Sequence, residues 1–175
     1  NDAENWLDEQ LGKRGLKGPR SAPTTYLLPE KTQVVRRFDG LTETTRLAAL
    51  YRRAAAALTE LASSQAHLHP GPSPVRCWPH HFDYATYVSL AEGSAEEATG
   101  IGVGLAPGDS AHEAPYLYVN PWPHPAKESL HQAPEPAFWL SESFVGLVTP
   151  AEAEGLEYAK HLQACFTQAY RSLNL

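Results

Sequence analysis

Methionine is absent from the 175 residues, cysteine occurs only twice, and 14 Lys and Arg face 20 Asp and Glu, a formal net charge of −6. Each shortage excludes something. Without an initiator Met, residues are expected before Asn1, and a removed targeting segment stays open. Cys77 and Cys165 are too few for a disulfide scaffold, and a chain of this length buries enough apolar surface without one. A cytoplasmic setting is the expectation. The acidic balance argues against a dedicated nucleic-acid-binding domain, which carries the opposite charge. No stretch approaches the roughly 18 consecutive apolar residues of a membrane-spanning helix. Nor does a basic start precede a short apolar run, as in a signal peptide.

What is present fits one domain after a weakly specified arm. Residues 1–30 mix Trp6, Leu7 and Leu11 with Gly12, Gly15 and Gly18 and the basic Lys13, Arg14, Lys17 and Arg20. Such a cluster among glycines is either a solvated linker or an arm that touches phosphates, and the first is the commoner case. In the domain, residues 31–175, short strands are expected at Gln33–Phe38 and, just before it, at Tyr26–Leu28. From Thr42 the period changes. Leu47, Leu50, Tyr51, Ala54, Leu58 and Leu61 recur at three- and four-residue steps, predicting an amphipathic helix capped by Thr42 and ending at Ser63-Ser64. Pro70, Pro72, Pro74 and Pro79 then make a stiff connector.

Four strands are expected next, at Val75–Val88, Gly100–Leu105, Tyr116–Trp122 and Phe138–Val148, sequential enough to favour an antiparallel meander. Thr149-Pro150-Ala151-Glu152 reads as an N-cap, a proline at the first helical position and a glutamate at the third. A closing helix with Leu156, Ala159, Leu162, Phe166, Ala169 and Leu173 as its stripe is predicted from it. The fold class is α+β: an antiparallel meander sheet of about four or more strands with two long helices packed on one face.

Alternation assigns the faces. Ile101, Val103 and Leu105 point one way with Leu117 and Val119, and should meet the helices. Gly102 and Gly104 point the other way with Tyr116, Tyr118 and Asn120. Glycine opposite tyrosine either lets a ring lie across bare backbone or lets a ligand approach an aromatic-walled sheet. Gly100, Gly102 and Gly104 are no dinucleotide fingerprint, because a Pro107-Gly108 turn follows instead of a helix N-terminus.

Seven of the eight histidines lie between His67 and His131, densest in Cys77-Trp78-Pro79-His80-His81-Phe82-Asp83. If the residues after Pro79 are extended, His81 and Asp83 share a face. They could serve as base and orienter in acid–base catalysis, or as two ligands of a divalent metal completed by His124, His112 or Glu113. Structural hydrogen bonding is the competing account, since no His-Glu-x-x-His or paired Cys-x-x-Cys spacing is present. A serine nucleophile is not supported: there is no Gly-x-Ser-x-Gly elbow, and Asp109-Ser110-Ala111-His112 is too local for a triad. Cys165 is read as core. Trp122, among Pro121, Pro123 and Pro125, is a rigid aromatic edge that could bind or merely stiffen a rim. A ligand pocket is thus expected on the open face from His80, Tyr116, Tyr118, Trp122, Gly102 and Gly104 beside His81 and Asp83. The competing class is an interaction module, using the same aromatics against a partner protein or a second copy of the chain.

The succession Trp78-Pro79-His80-His81-Phe82-Asp83, then Gly102-Val103-Gly104-Leu105-Ala106-Pro107-Gly108-Asp109, then Pro115-Tyr116-Leu117-Tyr118-Val119-Asn120-Pro121-Trp122-Pro123 resembles an uncharacterised family of bacterial proteins. It is also distantly similar to the C-terminal half of a larger bacterial family of unknown function. The resemblance spans the second half to two-thirds of the chain and implies no activity. Members of the family carry Trp-His and an acidic residue near the last strand. This chain has Trp139-Leu140-Ser141-Glu142-Ser143-Phe144 there, so Leu140 stands where the resemblance implies a histidine. If that histidine were a ligand or base, the site here is incomplete, which places binding ahead of catalysis.

Overall fold

The computed structural model describes residues 9–15, 41–79, 81–93, 98–109, 112–141 and 145–174. Contacts divide the chain into two units, Asn1–Asp39 and Gly40–Leu175. In the first, a short helix α1 covers residues 9–13, with Lys13 paired to Glu9 one turn earlier at 2.7 Å. The strands expected at 26–28 and 33–38 lie outside the described residues.

The second unit is α+β. Helix α2 spans Leu41–Ser64, and among the described residues seven strands follow: β1 Gly71–Pro72, β2 Arg76–Trp78, β3 Asp83–Ser89, β4 Gly100–Ala106, β5 Tyr116–Trp122, β6 Phe138–Leu140 and β7 Gly146–Pro150. Helix α3, Tyr158–Ser172, closes the order. All pairings are antiparallel, in the spatial order β1, β3, β4, β5, β7, β6, with β2 also on β3. Strands β3 to β5 form the expected meander. The end of the sheet does not follow it, because β7 rather than β6 lies against β5.

Three boundaries differ from those expected. The stretch 75–88 is a hairpin rather than one strand: Trp78 pairs with Asp83, and Phe82 N–H bonds back to the Trp78 carbonyl at 2.7 Å. Phe82 has φ 59°, a left-handed value that costs a bulky residue energy, and Tyr51 of α2 donates its hydroxyl proton to the Phe82 carbonyl. Likewise 138–148 turns back on itself, with Phe138 opposite Val148. Finally, Thr149 and Pro150 end β7 opposite Leu117 and Tyr116 instead of starting a helix. The Ala151 N–H points to the Pro115 carbonyl at 2.9 Å, so the Pro150 nitrogen faces the other way, beyond Phe138, the first β6 residue, where a missing donor is harmless. Helix α3 begins seven residues beyond Ala151 without a side-chain cap, and Thr42 likewise sits inside α2 rather than ahead of it.

The face assignment holds. Ile101, Val103, Leu105, Leu117 and Val119 join Leu50, Leu58 and Leu61 of α2 and Leu162, Phe166 and Ala169 of α3 in one buried core. Arg46 of α2 pairs with Glu152 in the turn before α3, and the Arg53 guanidinium lies 4.1 Å over the Tyr158 ring. With both helices on that face, the other is left to Asp83, Ala85, Tyr87, the β4 glycines and the β5 aromatics.

Candidate functional site

On the open face, strand β4 contributes almost no side-chain bulk, and its neighbours lean over it. A Cβ placed on Gly104 would come within 2.7 Å of the Tyr118 ring, and one on Gly102 within 2.3 Å of Asn120 Oδ1. Tyr118 therefore crosses β4 to reach β3, where its hydroxyl donates to Asp83 Oδ2 at 3.0 Å. Tyr87 lies across Gly100 from the opposite side and donates to the Ala98 carbonyl at 3.0 Å. Rings thus occupy the bare backbone at Gly100 and Gly104, and a depression remains between them at Gly102.

That depression has a volume of about 240 Å³ and is lined by Trp78, His81, Asp83, Tyr87, Tyr118 and Asn120 around Gly102. Trp78 ends β2, the exposed His81 belongs to the turn of the β2–β3 hairpin, Asp83 starts β3, and Tyr118 and Asn120 come from β5. His81 and Asp83 do share a site, but the turn brings them together, not alternation along an extended strand. Burial, reinforced by the Asp83 charge and hydrogen bond, pushes the Tyr118 hydroxyl well above its ordinary pKa, so it stays a neutral phenol.

A second tyrosine–carboxylate pair stands beside the first. Tyr116 donates to Asp109 Oδ2 at 2.6 Å, while Asp109 Oδ1 accepts the His112 N–H at 2.9 Å. The His112 ring stacks on Tyr116 with centroids 5.3 Å apart, and the Tyr116 and Tyr118 rings are tilted at 6.2 Å. Gly108, at φ 117°, makes this tight loop, because a Cβ there would lie 2.3 Å from the Glu113 carbonyl oxygen. Burial first, then Asp109, raises the Tyr116 pKa.

Some expected members fall elsewhere. Trp122 and Tyr116 do not line the depression. Trp122 pairs with Gly100 at the far end of β4, whereas Tyr84, next to Asp83, pairs with Leu105. At about 3.3 Å per residue, those ends are on the order of 15–20 Å apart. His124, just past Trp122, packs edge-on against that indole at 4.9 Å with Nδ1 on the Pro121 carbonyl. The set His81, Asp83 and His124 is therefore not assembled. Among the described residues no three His, Cys, Asp or Glu side chains are grouped to hold a metal ion. His80 lies outside the described residues. Leu140, where the resemblance implies a histidine, packs beside Ala106, Tyr116 and Val148.

The sequence reading missed Trp78, Asn120 and Asp109. Trp78 and Asp83, five positions apart, are the closing pair of a hairpin whose signal, Pro79 followed by a left-handed Phe82, resembles no standard turn sequence. It also missed His161, which faces the helix side: Nε2 meets Thr149 Oγ1 at 2.8 Å and Cys165 Sγ at 3.4 Å. This is not a nucleophilic dyad. Burial pushes the Cys165 thiol up to about 12 and lowers the His161 pKa, so both remain neutral inside the core.

Comparison with known proteins finds no matching family model, no similar curated protein and no matching solved structure. Among the described residues no helix is long and apolar enough to cross a membrane.

Proposed function

We propose that this domain binds a small organic molecule in the open-face depression. One observation carries the reading: an indole, a phenol, a carboxylate and a carboxamide from three strands converge on about 240 Å³ of space over a glycine. Aromatic walls with a few fixed polar groups are the ordinary make-up of a ligand site. Binding ranks above metal-assisted chemistry because among the described residues no three His, Cys, Asp or Glu side chains are grouped to hold a metal ion. A cytoplasmic setting accords with two free thiols, Cys77 exposed and Cys165 buried.

The interaction-module reading draws on Phe82, 65% exposed, and Phe138, 46% exposed, at the two sides of the sheet. Native mass spectrometry of protein purified from its own host separates the two. A retained small mass that disappears in Trp78→Ala supports binding. A bare chain that forms a dimer, with the dimer lost in Phe82→Ser, favours the module and refutes the pocket.

A further inference from the structure

We infer that a second cleft, formed by the helices rather than by the open face, takes an N-acyl amino acid: a carboxylate and an amide joined through one carbon that carries an apolar side chain. The cleft has a volume of about 390 Å³ and lies where the turn after α2 meets the later turns of α3, with Gln65, Leu68, Gln163, Phe166 and Arg171 among its lining residues. Space of this size holds a small organic molecule. The first ground is a pair of carboxamides. Gln65 is only 7% exposed, and its Nε2 donates to Ser64 Oγ at 2.9 Å and to Gln163 Oε1 at 3.1 Å. Its Oε1 makes no bond among the described residues, and since no buried side-chain oxygen or nitrogen there is left unsatisfied, that oxygen reaches the open space of the cleft. Gln163 Oε1 also meets Ser64 Oγ at 2.9 Å, which turns the Gln163 Nε2 away from both neighbours. Two amides joined by one hydrogen bond thus leave an acceptor and a donor, the complement of a third amide. The turn that carries Gln65 is held in place, with the Leu68 N–H on the Gln65 carbonyl and His67 Nδ1 on the Ser64 carbonyl, both at 3.0 Å.

The second ground is Arg171. Among the described residues no carboxylate or carbonyl pairs with its guanidinium, whose fork fits a carboxylate. A cation in the last turn of a helix also suits the helix dipole without any ligand. What adds to the argument is its spacing from the carboxamides. Gln163 and Arg171 stand eight residues apart on α3, about 12 Å along its axis. Both side chains lean toward the helix N-terminus, so their end groups keep about that separation. A hydrogen bond of about 2.9 Å at each end leaves about 6 Å, the reach of one to two chain units between a carboxylate and an acyl oxygen. Between the two ends, Phe166, stacked on Tyr170 with centroids 6.4 Å apart, and Leu68 offer the apolar surface for a side chain. The same chemistry occurs in a free N-acyl amino acid and at the carboxyl end of a peptide.

The test titrates the full chain with N-acetylphenylalanine, its carboxamide and 3-phenylpropionate, and reads binding from the amide resonances of Leu68 and Thr167. The acid should bind about tenfold or more tightly than its carboxamide, since charged hydrogen bonds are roughly twice as strong as neutral ones. It should bind about fivefold more tightly than 3-phenylpropionate, which keeps the ring and the carboxylate but has no amide. Arg171→Gln, at an exposed position, should erase the first difference and leave the second. Acetyl-Ala-Ala-Phe separates the two sources: tighter binding than N-acetylphenylalanine assigns the cleft to a peptide end, equal or weaker binding to the free acid, and both support the class. If the carboxamide or 3-phenylpropionate binds as tightly as N-acetylphenylalanine, the inference is overturned. It is overturned equally if no probe moves either resonance, and the open-face reading, which concerns another site, is untouched by either result.

Discussion

Gly104 is where the sheet and the site depend on the same missing methyl. In Gly104→Ala the new Cβ would sit 2.7 Å from the Tyr118 Cζ and Oη and 2.8 Å from the Ala85 Cβ. The tyrosine can tilt, at the expense of its bond to Asp83, but the Ala85 methyl is fixed to β3, so the strands themselves must part. Overpacking of this kind costs about 1–3 kcal/mol. Replacing a strand glycine by alanine returns roughly 0.5–1 kcal/mol of backbone entropy. A net loss of about 1–2 kcal/mol is expected from these two terms. Urea unfolding followed by circular dichroism gives the number. Gly102→Ala is the control, because its Cβ meets only the end of the Asn120 side chain, at 2.3 Å from Oδ1, and that group can rotate aside. Its cost should stay under about 1 kcal/mol. Adding Ala85→Gly to Gly104→Ala should recover stability relative to the sum of the single changes, with a coupling of about 0.5 kcal/mol or more. If Gly104→Ala is as stable as the unaltered protein, the close approach of β5 over β4 is wrong.

Val103 is fully buried between Thr86 and Val119, so Val103→Asp leaves a lone charge in the core at about 3–5 kcal/mol. Against a typical stability of about 5–15 kcal/mol it should abolish or severely weaken the cooperative transition; an unchanged melting temperature would contradict the face assignment. Thiol labelling at neutral pH should modify Cys77 and spare Cys165 until denaturant is added, because burial holds the Cys165 thiol at about 12; equal rates would disprove that burial. His161 has its pKa lowered by burial, so the unfolded chain binds the extra proton as pH falls below the unfolded value near 6.5. Its contribution should therefore be fully present above that pH and be lost below it, and a His161→Gln variant should show a flatter unfolding midpoint between pH 7.5 and 5. The Arg46–Glu152 pair is largely exposed on the arginine side, and Arg46→Ala should cost no more than about 1 kcal/mol in the same unfolding assay.

Periodicity is a local property, and what it governs was legible. The three-to-four step of Leu47 to Leu61 and the two-residue step of Ile101 to Leu105 placed the helix, the strand and the shared core face correctly. Termination is less local. Thr149-Pro150-Ala151-Glu152 satisfies every local rule for a helix start, yet β5 offers Thr149 and Pro150 a ladder, and His161 accepts or donates at the Thr149 hydroxyl that would otherwise cap. Tertiary partners decided between two locally acceptable conformations. The hairpins at 75–88 and 138–148 were read as single strands for the same reason, since both halves of each favour extended backbone.

The site shows the same division. Gly102, Gly104 and Tyr118 could be assigned to the open face because alternation fixes which side a residue occupies. Which residues meet across strands depends on register, and register put Asp83 level with Ala106 and Tyr116, and Trp122 level with Gly100. His81 and His124 therefore fall at opposite ends of β4, and the expected group of His81, Asp83 and His124 is separated by the length of a strand. Asn120 entered the site instead, because it is the β5 residue opposite Gly102, and a side chain of its size fits where only hydrogen stands across from it. The paired glycine and large neighbour is thus the most informative feature of the sequence: it names the place where a β5 side chain can lie flat and a pocket can open beside it.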